Sequence, residues 1–235
     1  MAESPPHALL LTVTASLSRA RSPTEVGLRT VSGRQHLADL TARVPETQSA
    51  IEYGERLHAE QHRSFGRAPF IEHPLEVGVL LYDAGAGHDV IVAGILHDTI
   101  EKTGADSAEL RDRFGPRVAE LVTAMSEDES ISDYARRKAA LRQQIAAAGP
   151  DALAILAADK ISKVRELRLA IARALRQDER PDRSLLRPRR LTHYRRCLRL
   201  VEESLGSSPL VEELRLELVR LDAVLAGVAG AARAA

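Results

Sequence analysis

The chain has 235 residues with 33 basic and 33 acidic side chains, so it has no net field to draw in nucleic acid or an anionic membrane. Apolar residues make up 44 % and aromatics only 3 %, with no Trp, so the core must be built from Leu, Ala, Val and Ile in an expected all-α fold of roughly 8–10 helices. The lone Cys197 excludes an intramolecular disulfide and suits a reducing cytoplasm.

Residues 1–47 mix Pro, Ser, Thr and Arg with weak periodicity and read as an N-terminal extension, partly disordered or loosely helical, with a helix possible near Thr24–Val44. The start lacks a basic n-region and does not read as a signal peptide. The main domain is expected over 48–227. Ser49–Gln61 has helical spacing, and His62–Glu72 is a loop punctuated by Gly66 and Pro69. His73-Pro74 opens a helix ending near Gly85, because Pro needs no hydrogen-bond partner at a first helical position. Asp89 caps a segment, 90–102, that is apolar on every side up to Leu96 and must be buried. Shorter helices follow over 106–114 and 116–126, parted by Gly115-Pro116, and a polar one over 128–148. A long helix over 151–177 turns Leu153, Leu156, Ile161, Val164, Leu167 and Ile171 inward. Residues 178–188 form an exposed loop, two last helices span 189–205 and 209–225, and 228–235 is a disordered tail.

Chemistry concentrates where charge interrupts this apolar pattern. His97-Asp98 follows the apolar run of 90–96, and charged groups rarely go inside unpaired. Neighbours on a helix point about 100° apart, so the pair can converge only on a point between them, which suits a metal ion. Glu101 stands one turn on, where a group that orients or deprotonates an attacking water belongs. His73 opens a second helix, and Asp159 interrupts a third among apolar neighbours. Taken singly, each of these residues is more often structural. Lys163 to Arg199 contains 13 basic against 4 acidic residues, an excess of nine that reads as a solvated face, part of which could border an anionic substrate.

Arg63 with Pro69-Phe70-Ile71-Glu72-His73-Pro74, then Ala93 through Glu101, Phe114-Gly115-Pro116-Arg117-Val118 and Ala158-Asp159-Lys160-Ile161, together resemble the hydrolase domain of the Rel/Spo alarmone enzymes. The likeness runs from about Ala50 to about Leu225 and is greatest to the small stand-alone hydrolases of the metazoan SpoT-homolog type. It implies a helical HD fold and one Mn²⁺ held by His73, His97, Asp98 and Asp159. That N₂O₂ set also suits Fe²⁺ or Zn²⁺. The implied reaction removes the 3′-pyrophosphate of guanosine 3′-diphosphate 5′-di- or triphosphate. Glu101 would help to activate the water, Arg63 would pack on the base, and Arg137-Lys138 would stand near the phosphates. The partner implied is thus a small phosphorylated nucleotide, with neither nucleic acid nor membrane.

Two positions depart from the family pattern. Lys102 replaces the Asp that usually follows the catalytic Glu, and Lys163 replaces an Asn that meets the nucleoside. Lys102 is therefore expected to weaken Glu101 as a base, and both lysines to favour phosphate binding. Two other readings stay open: an HD phosphohydrolase acting on another phosphorylated nucleotide, such as a dinucleotide cofactor phosphate, and a metal- or nucleotide-binding module with reduced turnover.

Overall fold

In the computed structural model, which describes residues 31–65, 68–177, 181–182 and 184–234, the described residues form eleven helices and no strand beyond one isolated bridge, His62 to Pro69. The helices are α1 (Val31–Arg43), α2 (Glu46–Leu57), α3 (Glu72–Asp83), α4 (His88–Leu96), α5 (Thr99–Thr103), α6 (Ser107–Phe114), α7 (Pro116–Met125), α8 (Tyr134–Ala148), α9 (Pro150–Arg176), α10 (Pro188–Leu205) and α11 (Pro209–Ala234). The fold is all-α, as composition predicts.

The organising element is α9. Its residues Leu153, Leu156, Ile161, Val164, Leu167 and Ile171 are buried as their spacing predicts, and the helix packs against α3, α4, α7, α8, α10 and α11. Gly149-Pro150 starts it abruptly: Gly149 has φ +93°, a conformation that disfavours side chains, and Pro150 takes the first turn. On the other side of the core, α3 and α4 approach closely through Gly78 and Gly94. A Cβ on Gly78 would lie 2.7 Å from Ile95 Cγ1, and one on Gly94 would collide with Leu81. This contact brings the start of α3 beside the end of α4, where His73 and His97 stand.

Several expected boundaries shift, each for a local reason. The helix expected over 90–102 breaks at His97-Asp98 into α4 and α5, with Asp98 at φ −94°, ψ −1°. The α8 helix starts at Tyr134 rather than near Asp128. Asp128 instead accepts from the Ser130 amide in a turn, and Asp133 caps the helix by accepting from Arg136 N. The α11 helix runs to Ala234, through most of the segment expected as a tail. The last part of the expected extension forms α1, whose Leu40 is fully buried in the core. Residues 1–30, with the start of the helix expected near Thr24, lie outside the described residues. Within the loop expected to be exposed, Leu185 is buried.

Candidate metal centre and substrate cavity

Three segments far apart in the chain meet at one buried point. His73 enters from the first turn of α3, His97 and Asp98 from the α4–α5 break, and Asp159 from the middle of α9. His73 Nε2 lies 3.2 Å from Asp159 Oδ1 and 3.5 Å from Asp98 Oδ2. His97 Nε2 lies 3.6 Å and 3.4 Å from the same two atoms. All four residues are almost fully buried, and none of these four atoms has a hydrogen-bond partner. Orphaned polar atoms inside a protein are costly, so four of them facing one another call for a ligand. Two ligands held about 2.1 Å from an ion at a tetrahedral angle stand about 3.4 Å apart, which matches the spacing found. His73, His97 and Asp159 alone already form a set that could hold a metal ion, and Asp98 faces both imidazoles.

The break between α4 and α5 lets adjacent residues face one point. His97 retains helical backbone angles (φ −57°, ψ −29°), while Asp98 departs from them (φ −94°, ψ −1°) and stands at the head of α5. Thr99 supports the turn by donating from Oγ1 to Leu96 O (2.7 Å).

The imidazoles are oriented from behind. His97 Nδ1 lies 2.7 Å from Gly94 O, an atom that can only accept, so Nδ1 carries a proton and Nε2 is the ring nitrogen turned toward the centre. His73 Nδ1 lies 2.8 Å from Ser162 Oγ. Burial pushes His73 down to about 4, with the Asp159 interaction recovering part of the loss. For His97 burial acts in the same direction, but Asp98 and Asp159 outweigh it and hold the imidazole up at about 9. Burial would raise both carboxyls, but cations prevail and hold them well below the usual range: Lys163 and His97 at Asp98, Lys160 and Lys163 at Asp159.

The centre lies on the wall of a cavity of about 220 Å³. Glu101, Lys102, Arg63, Lys138 and Lys163 line it, together with Lys160 and Arg190. Lys102 Nζ pairs with Glu101 Oε1 at 3.1 Å rather than standing free in solvent. Lys163 reaches further inward than a rim position. Its Nζ is 2.7 Å from Asp159 Oδ1 as an ion pair, without the alignment of a hydrogen bond, and 3.9 Å from Asp98 Oδ2. Lys138 pairs with Glu127, and burial together with Lys160 and Lys163 pushes it down to about 8. Arg63 is held in the lining by its partners, donating to Ser162 Oγ (3.1 Å) and Glu76 Oε2 (3.4 Å) and pairing with Glu166 (3.5 Å).

Arg137 is the exception among the expected substrate residues. It lies outside the lining of the metal cavity and borders a neighbouring pocket with Glu101 and Lys138. Its donors hold the 126–133 loop: Nε to Glu127 Oε2 (2.8 Å), and Nη1 to Ile131 O (2.7 Å) and Ser132 O (3.3 Å).

Other residues of the site gave no sequence signal or a weak one. Arg190 stacks over Phe65 at 4.9 Å, and its Nη1 is buried without a partner. Only the tertiary fold brings it to the cavity. Ser162 and Glu76 stand three residues after Asp159 and His73, so helical spacing alone could have placed them on the ligand faces. Of the seven Tyr and Phe residues (four plus three), Phe65, Phe70, Tyr134 and Tyr194 line this one cavity.

A guanosine-3′,5′-bis(diphosphate) 3′-pyrophosphohydrolase of Aquifex aeolicus is 35 % identical over 143 residues, covering 58 % of this chain and 20 % of the relative. A probable GTP pyrophosphokinase of Mycobacterium leprae is 35 % identical over 124 residues, 52 % of this chain and 16 % of the relative. The chain thus spans a fifth or less of the length of these relatives. Among solved structures, a metazoan ortholog of SpoT, described as hydrolysing ppGpp, superposes with a TM-score of 0.58 at 23 % identity, covering 77 % of this chain and 94 % of that one; this likeness speaks to the fold. A Listeria monocytogenes protein superposes with a TM-score of 0.52 at 26 % identity, covering 62 % of this chain and 90 % of that one. Residues 50–182, more than half of the chain and the stretch that holds all four converging side chains, match the HD domain, and the chain belongs to the HD-domain family.

Proposed function

We propose that this domain is a metal-dependent phosphohydrolase that removes the 3′-pyrophosphate of guanosine 3′-diphosphate 5′-di- or triphosphate, using Mn²⁺ in preference to Fe²⁺ or Zn²⁺. The observation that carries the reading is the set of four converging atoms without a hydrogen-bond partner, His73 Nε2, His97 Nε2, Asp98 Oδ2 and Asp159 Oδ1, on the wall of a cation-rich cavity. A divalent ion held there supplies Lewis-acid polarisation of the scissile phosphate and of the attacking water. Glu101 takes the proton of that water as its oxygen bonds to phosphorus. The bond to the ribose 3′ oxygen breaks, pyrophosphate leaves, and the ribose oxygen regains a proton. Lys138, Lys163 and Arg190 meet the phosphate charge. The flat guanidinium of Arg63 and the aromatic lining offer surfaces on which a base can stack. The likeness to relatives named for this substrate supports the choice of guanosine.

A second reading is favoured by the lysines. Lys102 on Glu101 and Lys163 at the two carboxylates suit a substrate whose phosphate is placed differently, such as a phosphorylated dinucleotide. The deciding experiment incubates Mn²⁺-loaded protein with a panel of phosphorylated nucleotides. The expected result is release of pyrophosphate from guanosine bis(diphosphate) faster than phosphate release from any other member. A dinucleotide phosphate turned over in preference would establish the second reading instead. Binding of metal and nucleotide with no turnover of any member would leave a sensing module.

A further inference from the structure

We propose that Ser162, held by Glu76, is the positioning residue that fixes His73 in its Nδ1–H tautomer and so keeps Nε2 bare for a metal. The inference rests on the reading of the four residues as a metal centre, and it concerns how this chain prepares one of them.

The two imidazoles face the same problem. Asp159 Oδ1 and Asp98 Oδ2 lie 3.2 and 3.5 Å from His73 Nε2, and two anions at that range draw the ring proton to Nε2, the atom that must be bare to bind a cation. For His97 the opposing pull comes from the carbonyl of Gly94, which can only accept. His73 has no such partner. Behind it stands a serine hydroxyl, which either donates or accepts.

The surroundings of Ser162 remove that freedom. Its single hydrogen is committed to Glu76 Oε2 at 2.6 Å, a short charge-assisted bond. Arg63 Nη2 donates into one of its lone pairs at 3.1 Å. What remains toward His73 Nδ1, at 2.8 Å, is the other lone pair, which demands a proton on Nδ1. Glu76 is held in turn by the Arg165 guanidinium at 3.3 Å, and Arg165 by Glu213 and Glu217 of α11. Burial would raise the Glu76 carboxyl, but Arg63 and Arg165 outweigh it and keep it below the usual carboxylate range, so it remains an acceptor. The relay therefore runs from α11 through α9 to α3, and its last link is a serine set three residues after one ligand and facing another.

The test reads the tautomer directly, in metal-free protein labelled with ¹⁵N-histidine, from the ring nitrogen shifts of His73. Mn²⁺ and Zn²⁺ dissociation constants are then measured on the same samples. Wild-type protein is expected to show Nδ1–H. Ser162→Ala removes the acceptor, and Glu76→Gln lets the hydroxyl turn toward Nδ1. Both are expected to shift His73 toward Nε2–H and to weaken metal binding about 10- to 100-fold. Ser162→Thr keeps the hydroxyl and is expected to retain the wild-type spectrum and affinity. A merely structural serine would leave the ring shifts unmoved. An Nδ1–H spectrum in Ser162→Ala, with affinity within about twofold of wild type, overturns the proposal. If Ser162→Ala fails to fold, Glu76→Gln, nearly unchanged in shape, decides the question alone. Wild-type protein that binds neither ion refutes the metal centre itself, whereas the tautomer measurement still decides the role of Ser162.

Discussion

Glu101, the proposed base, has a cation at its side: Lys102 Nζ stands 3.1 Å from its Oε1. A general base contributes about 10²–10⁴-fold, so Glu101→Gln is expected to lower kcat by that factor while leaving Mn²⁺ affinity unchanged; loss of the metal as well would make Glu101 a ligand instead. Lys102→Asp removes the pairing, and a clear gain in 3′-pyrophosphate release is expected, whereas an unchanged rate refutes any restraint by Lys102. Lys138 adds a pH dependence. Buried beside Glu127, near Glu101, Asp159, Lys160, Lys163 and the Tyr134 ring, it sits at about 8. Its charge is present below that value and lost above it, so KM for an anionic nucleotide is expected to rise as pH passes upward through 8; Lys138→Arg, which keeps its charge, is expected to flatten the rise. The four candidate ligands were legible because His and Asp stand out against apolar helices and because the resemblance supplied their grouping. Ser162 and Glu76 were legible only in part: their three-residue spacing from Asp159 and His73 puts them on the ligand faces, but only the fold shows them meeting behind His73. Arg137 departs from expectation because a basic pair gives no clue which member lines the metal cavity and which braces a loop.

At the scale of elements, helix existence was plain and the breaks were not. Gly115-Pro116 and Gly149-Pro150 mark the starts of α7 and α9, and Pro188 and Pro209 with 3.6-residue spacing mark those of α10 and α11. The α4–α5 break carries no Gly or Pro; it follows from the tertiary demand that His97 and Asp98 face one point, which an unbroken helix serves poorly. The register of that point depends on how closely α4 lies on α3. Gly78→Ala sets a methyl against Ile95 Cγ1 in a filled core, and overpacking of this kind costs about 1–3 kcal/mol. A drop in Tm of about 2–4 °C per kcal/mol is expected by calorimetry, together with weaker metal retention as His73 moves away from His97; an unchanged Tm would mean that the two helices separate freely.

For the whole molecule, a metal here would join α3, the α4–α5 break and α9 across 86 residues of sequence (159 − 73). An ion that binds only the folded state stabilises it by about 2.7 kcal/mol at 100 times its dissociation constant. Tm is therefore expected to rise by about 5–10 °C when Mn²⁺ is added to chelator-treated protein, and the rise is expected to vanish in Asp159→Ala. A Tm indifferent to every divalent ion would contradict the centre. Beyond this point the core is braced by charge. Glu217 of α11 is wholly buried and receives Arg165, Arg168 and Arg220. This arrangement sets a timetable for biosynthesis. Asp159, the last candidate ligand, is polymerised 58 residues before Glu217 (217 − 159), which at roughly 5–20 residues per second is a delay of about 3–12 s. For those seconds the nascent chain owns every candidate ligand, and Arg165 has Glu76 but neither Glu213 nor Glu217, so the ion pairs that join α9 to α11 wait until α11 has been made.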